Sequence, residues 1–198
     1  MKLAKSIGRL GTETAFEVLA KAKKLEAQGK DIVHLEIGEP DFETPDHIKE
    51  AAKKALDDNF THYVPSPGLM EVREVIAEHQ SAVHNKNISP ENVVFTPGAK
   101  PIMFFTIMAL IEPGDEVIYP NPGFPIYESM INYVGGKAVP MELKEEKEFN
   151  ADVDLIEQSI TDKTKLIILN SPNNPCGSVM EPSDIKKVAD IAKEKDLS

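Results

Sequence analysis

The sequence predicts an α/β fold: a mostly parallel sheet with helices on both faces, preceded by an N-terminal arm or small-domain segment. Two observations predict it. Several short runs of β-branched or bulky side chains are continuously apolar rather than alternating, which is how strands covered on both faces read. Each run is followed by a loop rich in Pro, Gly or Asn and then by a segment with helical spacing, the rhythm of βαβ units.

The first 45 residues lack that rhythm. An amphipathic stretch around Thr14–Gln28 precedes the apolar run Ile32–Leu35, and residues 1–45 are assigned to an arm and small-domain segment. Residues 46–198 are assigned to part of a larger domain. Its first helix follows Thr44-Pro45, a threonine N-cap with proline at the first helical position. Ile48, Ala51, Ala52, Ala55 and Leu56 give that helix one stripe expected to be buried. A longer helix is predicted over Leu69–His84, then a strand at Val93-Val94-Phe95. Ala99–Ile111 is apolar nearly all round, so a buried helix is expected there. Val117-Ile118-Tyr119 reads as a strand, Phe124–Tyr133 as a short helix after Pro122-Gly123, and Ala138–Met141 as a weaker strand. The proline at 140 places that last strand at a sheet edge or a strand end. Leu166–Leu169 reads as a strand, and Ser183–Lys195 carries Ile185, Val188, Ala189 and Ala192 at amphipathic spacing.

Composition bounds the function. The 198 residues carry 33 acidic and 22 basic side chains, a net charge of −11. That balance argues against a nucleic-acid module, which needs a basic face, and against docking on an anionic membrane. The longest apolar run, Ile102–Ile111, falls far short of the ~20 residues of a spanning helix. The first residues show no apolar core followed by a small-residue cleavage site, so no secretory signal is expected. One cysteine, Cys176, excludes an internal disulfide and fits a reducing cytoplasm. Five scattered histidines without a Cys/His pattern make no metal site.

In open α/β sheets, ligands bind beyond the carboxyl ends of the strands. The loops there are Thr96-Pro97-Gly98-Ala99-Lys100, Pro120-Asn121-Pro122-Gly123-Phe124 and Asn170-Ser171-Pro172-Asn173-Asn174-Pro175-Cys176-Gly177. The first opens a helix, whose free N–H groups suit an anion; a simple chain turn explains it equally well. It is neither a G-x-G-x-x-G nor a P-loop motif. Lys100 either strengthens an anion site or is a solvated first-turn lysine. Phe124 is either core or a flat face on which a ring stacks. The third loop is either a turn or a rigid holder of an amide side chain at a strand end.

Taken together, the motifs resemble the class I and II aminotransferases, fold-type I enzymes dependent on pyridoxal 5′-phosphate. The matching pieces run in order: Gly38-Glu39-Pro40-Asp41-Phe42, Thr61-His62-Tyr63 with Pro67-Gly68, the loop Thr96–Lys100, Glu112-Pro113-Gly114-Asp115-Glu116-Val117, Asn121-Pro122-Gly123-Phe124, and Asn170–Gly177. Each alone is weak, but six in order, from residue 38 to 177, are specific. The resemblance implies that Gly98 and the amides of Ala99 and Lys100 hold the cofactor phosphate, and that Phe124 stacks on the pyridine ring. It further implies that Asn174 hydrogen-bonds the cofactor's phenolic oxygen and lies near the substrate carboxylate, which the Gly38 backbone contacts. Tyr63 resembles the tyrosine that reaches the phosphate bound by the other subunit, implying a homodimer. Cys176 departs from the family's usual threonine.

The same resemblance implies an absence. The lysine that holds the cofactor as a Schiff base, the aspartate that keeps its ring nitrogen protonated and the arginine that clamps the substrate carboxylate all follow the last Asn-Pro loop in the family. Lys100 matches the phosphate loop, and no other lysine here has the serine-x-x-lysine setting followed by glycine and arginine. The expectation is therefore an N-terminal half without the Schiff-base lysine, inactive by itself, from a cytoplasmic enzyme exchanging an amino group between an amino acid and a 2-oxo acid. Two alternatives stay open: a lyase or synthase of the same fold, or a non-catalytic paralogue that binds a phosphate ligand or pairs with a partner.

Overall fold

The computed structural model describes residues 2–11 and 14–198. They fall into two compact units, one of Met1–Thr14 and Lys100–Ser198, the other of Ala15–Ala99.

The first unit is built on a three-stranded parallel sheet: β1 (Glu116–Asn121), β2 (Lys137–Glu142) and β3 (Thr164–Ile167), in the order β2-β1-β3. β1 is the central strand, and its alternating side chains enter two different cores. Val117 and Tyr119 pack with Ile107 and Ile111 of α4 (Ala99–Leu110) and its C-terminal edge, and with Tyr127, Met130 and Ile131 of α5 (Ile126–Val134). Ile118 points to the other side, against Met141, Leu143, Ile156 of α6 (Val153–Ser159) and Val188 of α7 (Pro182–Glu194). Both faces are covered, which is why the run reads as continuously apolar. The chain leaves β1 through α5 to reach β2, then returns through α6 on the other face to reach β3. Reversing direction and changing face together keep both crossovers of one hand, as parallel sheets require.

At the amino-terminal end of the sheet, Glu116 faces its register partner Lys137. Its buried carboxylate accepts from Lys137 Nζ at 2.7 Å and from Thr161 Oγ1 at 2.6 Å. The Lys137 hydrogen bond, then that of Thr161, hold the Glu116 carboxyl below its ordinary range. The arm is tied down as well: the Arg9 guanidinium donates to the carbonyls of Asn132 and Tyr133 at 2.9 and 2.7 Å. A cation there complements the carboxyl end of α5. Ser198 adds a rung beside β3, donating to Lys165 O and accepting from Ile167 N–H.

The second unit holds α1 (Thr14–Glu26) from Ala15 onward, α2 (Asp46–Asp57), α3 (Met70–His84) and a single 3-10 turn at Pro90–Asn92. Arg73 of α3 is buried, and its guanidinium donates to Pro90 O and Val93 O.

Several sequence expectations are corrected. Val93–Phe95 is extended but forms no strand. Its backbone groups bond elsewhere, Val93 O to Arg73 and Phe95 N–H to Pro67 O, and Val94 and Phe95 lie open to solvent. The helix α4 is not buried all round: Ile107 is covered by the sheet, while Ile102, Phe105 and Met108 point off that face and are about half exposed. The stripe of α2 exists, but Ile48 and Leu56 are exposed and no residue of the helix is buried. The N-cap of α2 is Pro45 rather than Thr44, with no side-chain cap bond. By contrast, the weak strand at 138–141 is the full six-residue β2, at the sheet edge beside β1, with Pro140 opposite Tyr119.

Candidate functional site

The carboxyl ends of β1 and β3 carry the two loops singled out in the sequence. All three cis peptide bonds among the described residues fall in them: Asn121-Pro122, Ser171-Pro172 and Asn174-Pro175. In the first, the chain turns so sharply that a Cβ on Gly123 would lie 2.1 Å from Pro120 O, so only glycine fits. The turn delivers Phe124 half-buried at the start of α5. One side of its ring meets Tyr127 edge-on, with centroids 6.0 Å apart and planes at 89°. The Lys100 Nζ stands over the ring, 5.8 Å from its centroid, within reach of a cation–π contact. Phe124 is thus both packed and accessible, and the two sequence readings of it are compatible.

Lys100 belongs to the first turn of α4, which starts at Ala99. The first-turn N–H groups of a helix point out of its amino-terminal end, and the third residue of α4, Pro101, has no N–H at all. In the other unit, the turn that leads to this helix is set by Thr96, whose hydroxyl donates to Gly98 O at 2.7 Å. Gly98 has φ +92° and open space where a side chain would stand.

The loop after β3 is held by its own hydrogen bonds. Asn173 is the one buried residue among 170–177. Its Oδ1 accepts from Cys176 N–H at 3.1 Å, its N–H donates to Ser178 O and its carbonyl accepts from Gly177 N–H. The Asn170 amide, in the orientation its neighbours require, donates to Pro172 O and accepts from Asn174 N–H. Ser171 Oγ accepts from Met180 N–H, and Ser178 Oγ donates to Phe149 O. Asn174 is exposed, and its side chain makes no hydrogen bond with the described residues. Sequence reading named Asn174 but missed Asn173; the doubled asparagine was the only signal, and burial separates the two.

Of the sequence-predicted residues, the structure brings Lys100 and Phe124 together, and places Asn174 on the loop beyond β3 in the same unit. Gly38, Tyr63, Gly98 and Ala99 belong to the other unit, where Tyr63 is fully exposed. Burial and then the Glu128 carboxylate push the Tyr119 phenol up to about 12, and burial raises Tyr127. A cavity of about 570 Å³ lies at the opposite, amino-terminal end of β3, lined by Thr161, Thr164 and Lys195 among others, away from these loops. Among the described residues no cluster of His, Cys, Asp and Glu suits a metal, and no helix is long and apolar enough to cross a membrane.

Residues 30–198 match the family described as aminotransferase class I and II. The chain is 40% identical over 195 residues to the probable aspartate/prephenate aminotransferase of Aquifex aeolicus, covering 98% of this chain and 50% of that one. It is 46% identical over 167 residues to the probable aspartate aminotransferase of Methanocaldococcus jannaschii, covering 84% and 44%. The solved aspartate aminotransferase from Thermus thermophilus with maleate superposes with a TM-score of 0.94 at 37% identity, over 100% of this chain and 52% of that one. The chain spans about half the length of the relatives it matches.

Proposed function

The chain belongs to the class I and II aminotransferases, and from that premise we propose that it supplies the cofactor-holding loops of a cytoplasmic, pyridoxal 5′-phosphate-dependent aminotransferase. The reaction is reversible transfer of an amino group between an amino acid and a 2-oxo acid. The names of the relatives favour aspartate as the amino donor. One observation carries the reading: Lys100, in the first turn of α4, stands over the half-buried Phe124 ring, 5.8 Å from its centroid.

The donor set fits that cofactor. The amides of Ala99 and Lys100 suit a phosphate, and the open space at Gly98 lets an anion approach the backbone. Phe124 offers a flat face for a pyridine ring, and the uncommitted amide of Asn174 suits a phenolic oxygen. When bound, pyridoxal 5′-phosphate supplies an electron sink for charge at the substrate Cα. This chain's residues bind and orient: Ala99 and Lys100 anchor the phosphate, Phe124 fixes the ring plane, Asn174 donates to the phenolic oxygen, and the Gly38 backbone contacts the substrate carboxylate. Tyr63, exposed on its unit, serves the phosphate of a second subunit in a homodimer. On this reading no lysine of residues 1–198 is the covalent anchor, and residues 1–45 form an arm and small-domain segment.

The test is calorimetric titration of the chain with pyridoxal 5′-phosphate, followed by borohydride reduction and peptide mapping. Saturable binding that weakens in Asn174→Ala, with only scattered lysine labelling, supports the reading. Absence of saturable binding, or one stoichiometrically labelled lysine, contradicts it.

A further inference from the structure

We propose that Asn173 is the positioning residue that fixes Asn174 in its outward, ligand-facing setting; the inference rests on the role given to Asn174 above. Asn173 is 7% exposed, whereas its neighbours Pro172 and Asn174 lie in solvent. A buried polar side chain needs its hydrogen bonds, and Asn173 has a specific one: Oδ1 accepts the Cys176 N–H across a turn of three residues. Its own N–H and carbonyl close onto Ser178 and Gly177, so a single residue closes the turn through backbone and side chain alike. Gly177, with φ +75°, permits the return of the chain. Ser178 in turn donates to Phe149 O, tying the turn to a residue packed on the core around Ile118 and Ile156. Pro172 and Asn174, on either side of the buried Asn173, are exposed, so the anchor at Asn173 holds Asn174 on the solvent side of the turn. Asn173 itself presents nothing to a ligand and acts through its neighbour.

The experiment uses the full chain with Asn173→Ala, Asn173→Asp, Asn174→Ala and the Asn173→Ala/Asn174→Ala double variant. Amide hydrogen exchange at Cys176 and Gly177 and calorimetric affinity for pyridoxal 5′-phosphate are read together. Asn173→Ala is expected to speed exchange at Cys176 and to weaken affinity, each about tenfold, the size of one lost buried hydrogen bond. Exchange in β1 stays unchanged. Asn173→Asp keeps the acceptor and recovers most of both effects. On the Asn174→Ala background, Asn173→Ala adds less than about twofold to the loss of affinity, because its effect passes through Asn174. Unchanged exchange at Cys176 in Asn173→Ala overturns the inference, as does a full further loss of affinity in the double variant. If the wild-type chain does not bind pyridoxal 5′-phosphate, the functional reading falls alone, because the exchange measurement still decides whether Asn173 sets the turn.

Discussion

The Lys100 ammonium stands 5.8 Å from the centroid of the Phe124 ring, while Tyr127 meets the same ring edge-on. A helix start, a strand-to-helix loop and the next helix thus converge on one aromatic side chain at the carboxyl end of the sheet. Phe124→Leu keeps apolar bulk and removes the ring. Stability is expected to fall by about 1 kcal/mol, the size of an aromatic pair. Affinity for pyridoxal 5′-phosphate is expected to fall about tenfold, and Phe124→Tyr restores it. Thermal unfolding and calorimetry check both; lost stability with unchanged affinity makes the ring a core residue only.

Gly123 is demanded by a close approach, with Pro120 O 2.1 Å from where its Cβ would be. Gly123→Ala forces the backbone to move and is expected to cost about 2 kcal/mol or more. Because the displaced residue adjoins Phe124, tyrosine and phenylalanine ring signals of the core around Val117, Tyr119 and Tyr127 are expected to shift in NMR spectra. Wild-type stability in this variant contradicts the prediction.

Arg73 is buried with its guanidinium donating to two carbonyls, those of Pro90 and Val93. Arg73→Ala strands the Val93 carbonyl and leaves Pro90 O only the Val93 N–H, and is expected to destabilise by roughly 2 kcal/mol. Arg73→Lys recovers less than half, since one ammonium lacks the planar fork. Urea unfolding followed by circular dichroism measures both.

Glu116 gives a pH dependence whose sign follows from its partners. The hydrogen bonds from Lys137 and Thr161 depress its folded-state pKa below the ordinary 4.5. Its contribution is therefore fully present above about pH 4.5 and is lost as pH falls through the lower, folded value. Glu116→Gln is expected to lower stability at pH 7 and to flatten the acid limb of stability against pH. An acid limb of unchanged steepness contradicts the assignment.

What was legible in the sequence was local. Val117-Ile118-Tyr119 announces a strand covered on both faces because its alternating side chains enter two cores. Gly123 and Gly98 mark turns because their backbones demand glycine. Val93-Val94-Phe95 carries the same local signal and still forms no strand, since a ladder needs a partner, and Arg73 and Pro67 take two of its backbone groups. The stripe on α2 was readable from spacing, but burial depends on what packs against it. In the site, Asn174 was legible by resemblance; the support from Asn173 depends on a turn that only the folded chain displays.

On the proposed reading, the first turn of α4 holds the cofactor phosphate. Amide NMR of the chain titrated in parallel with pyridoxal 5′-phosphate and with pyridoxal, which lacks the phosphate, tests it most directly. The Ala99 and Lys100 amide resonances are expected to move and saturate with pyridoxal 5′-phosphate and to stay in place with pyridoxal at the same concentration. Equal shifts with both compounds, or no shift at Ala99 and Lys100 while other residues respond, would contradict it.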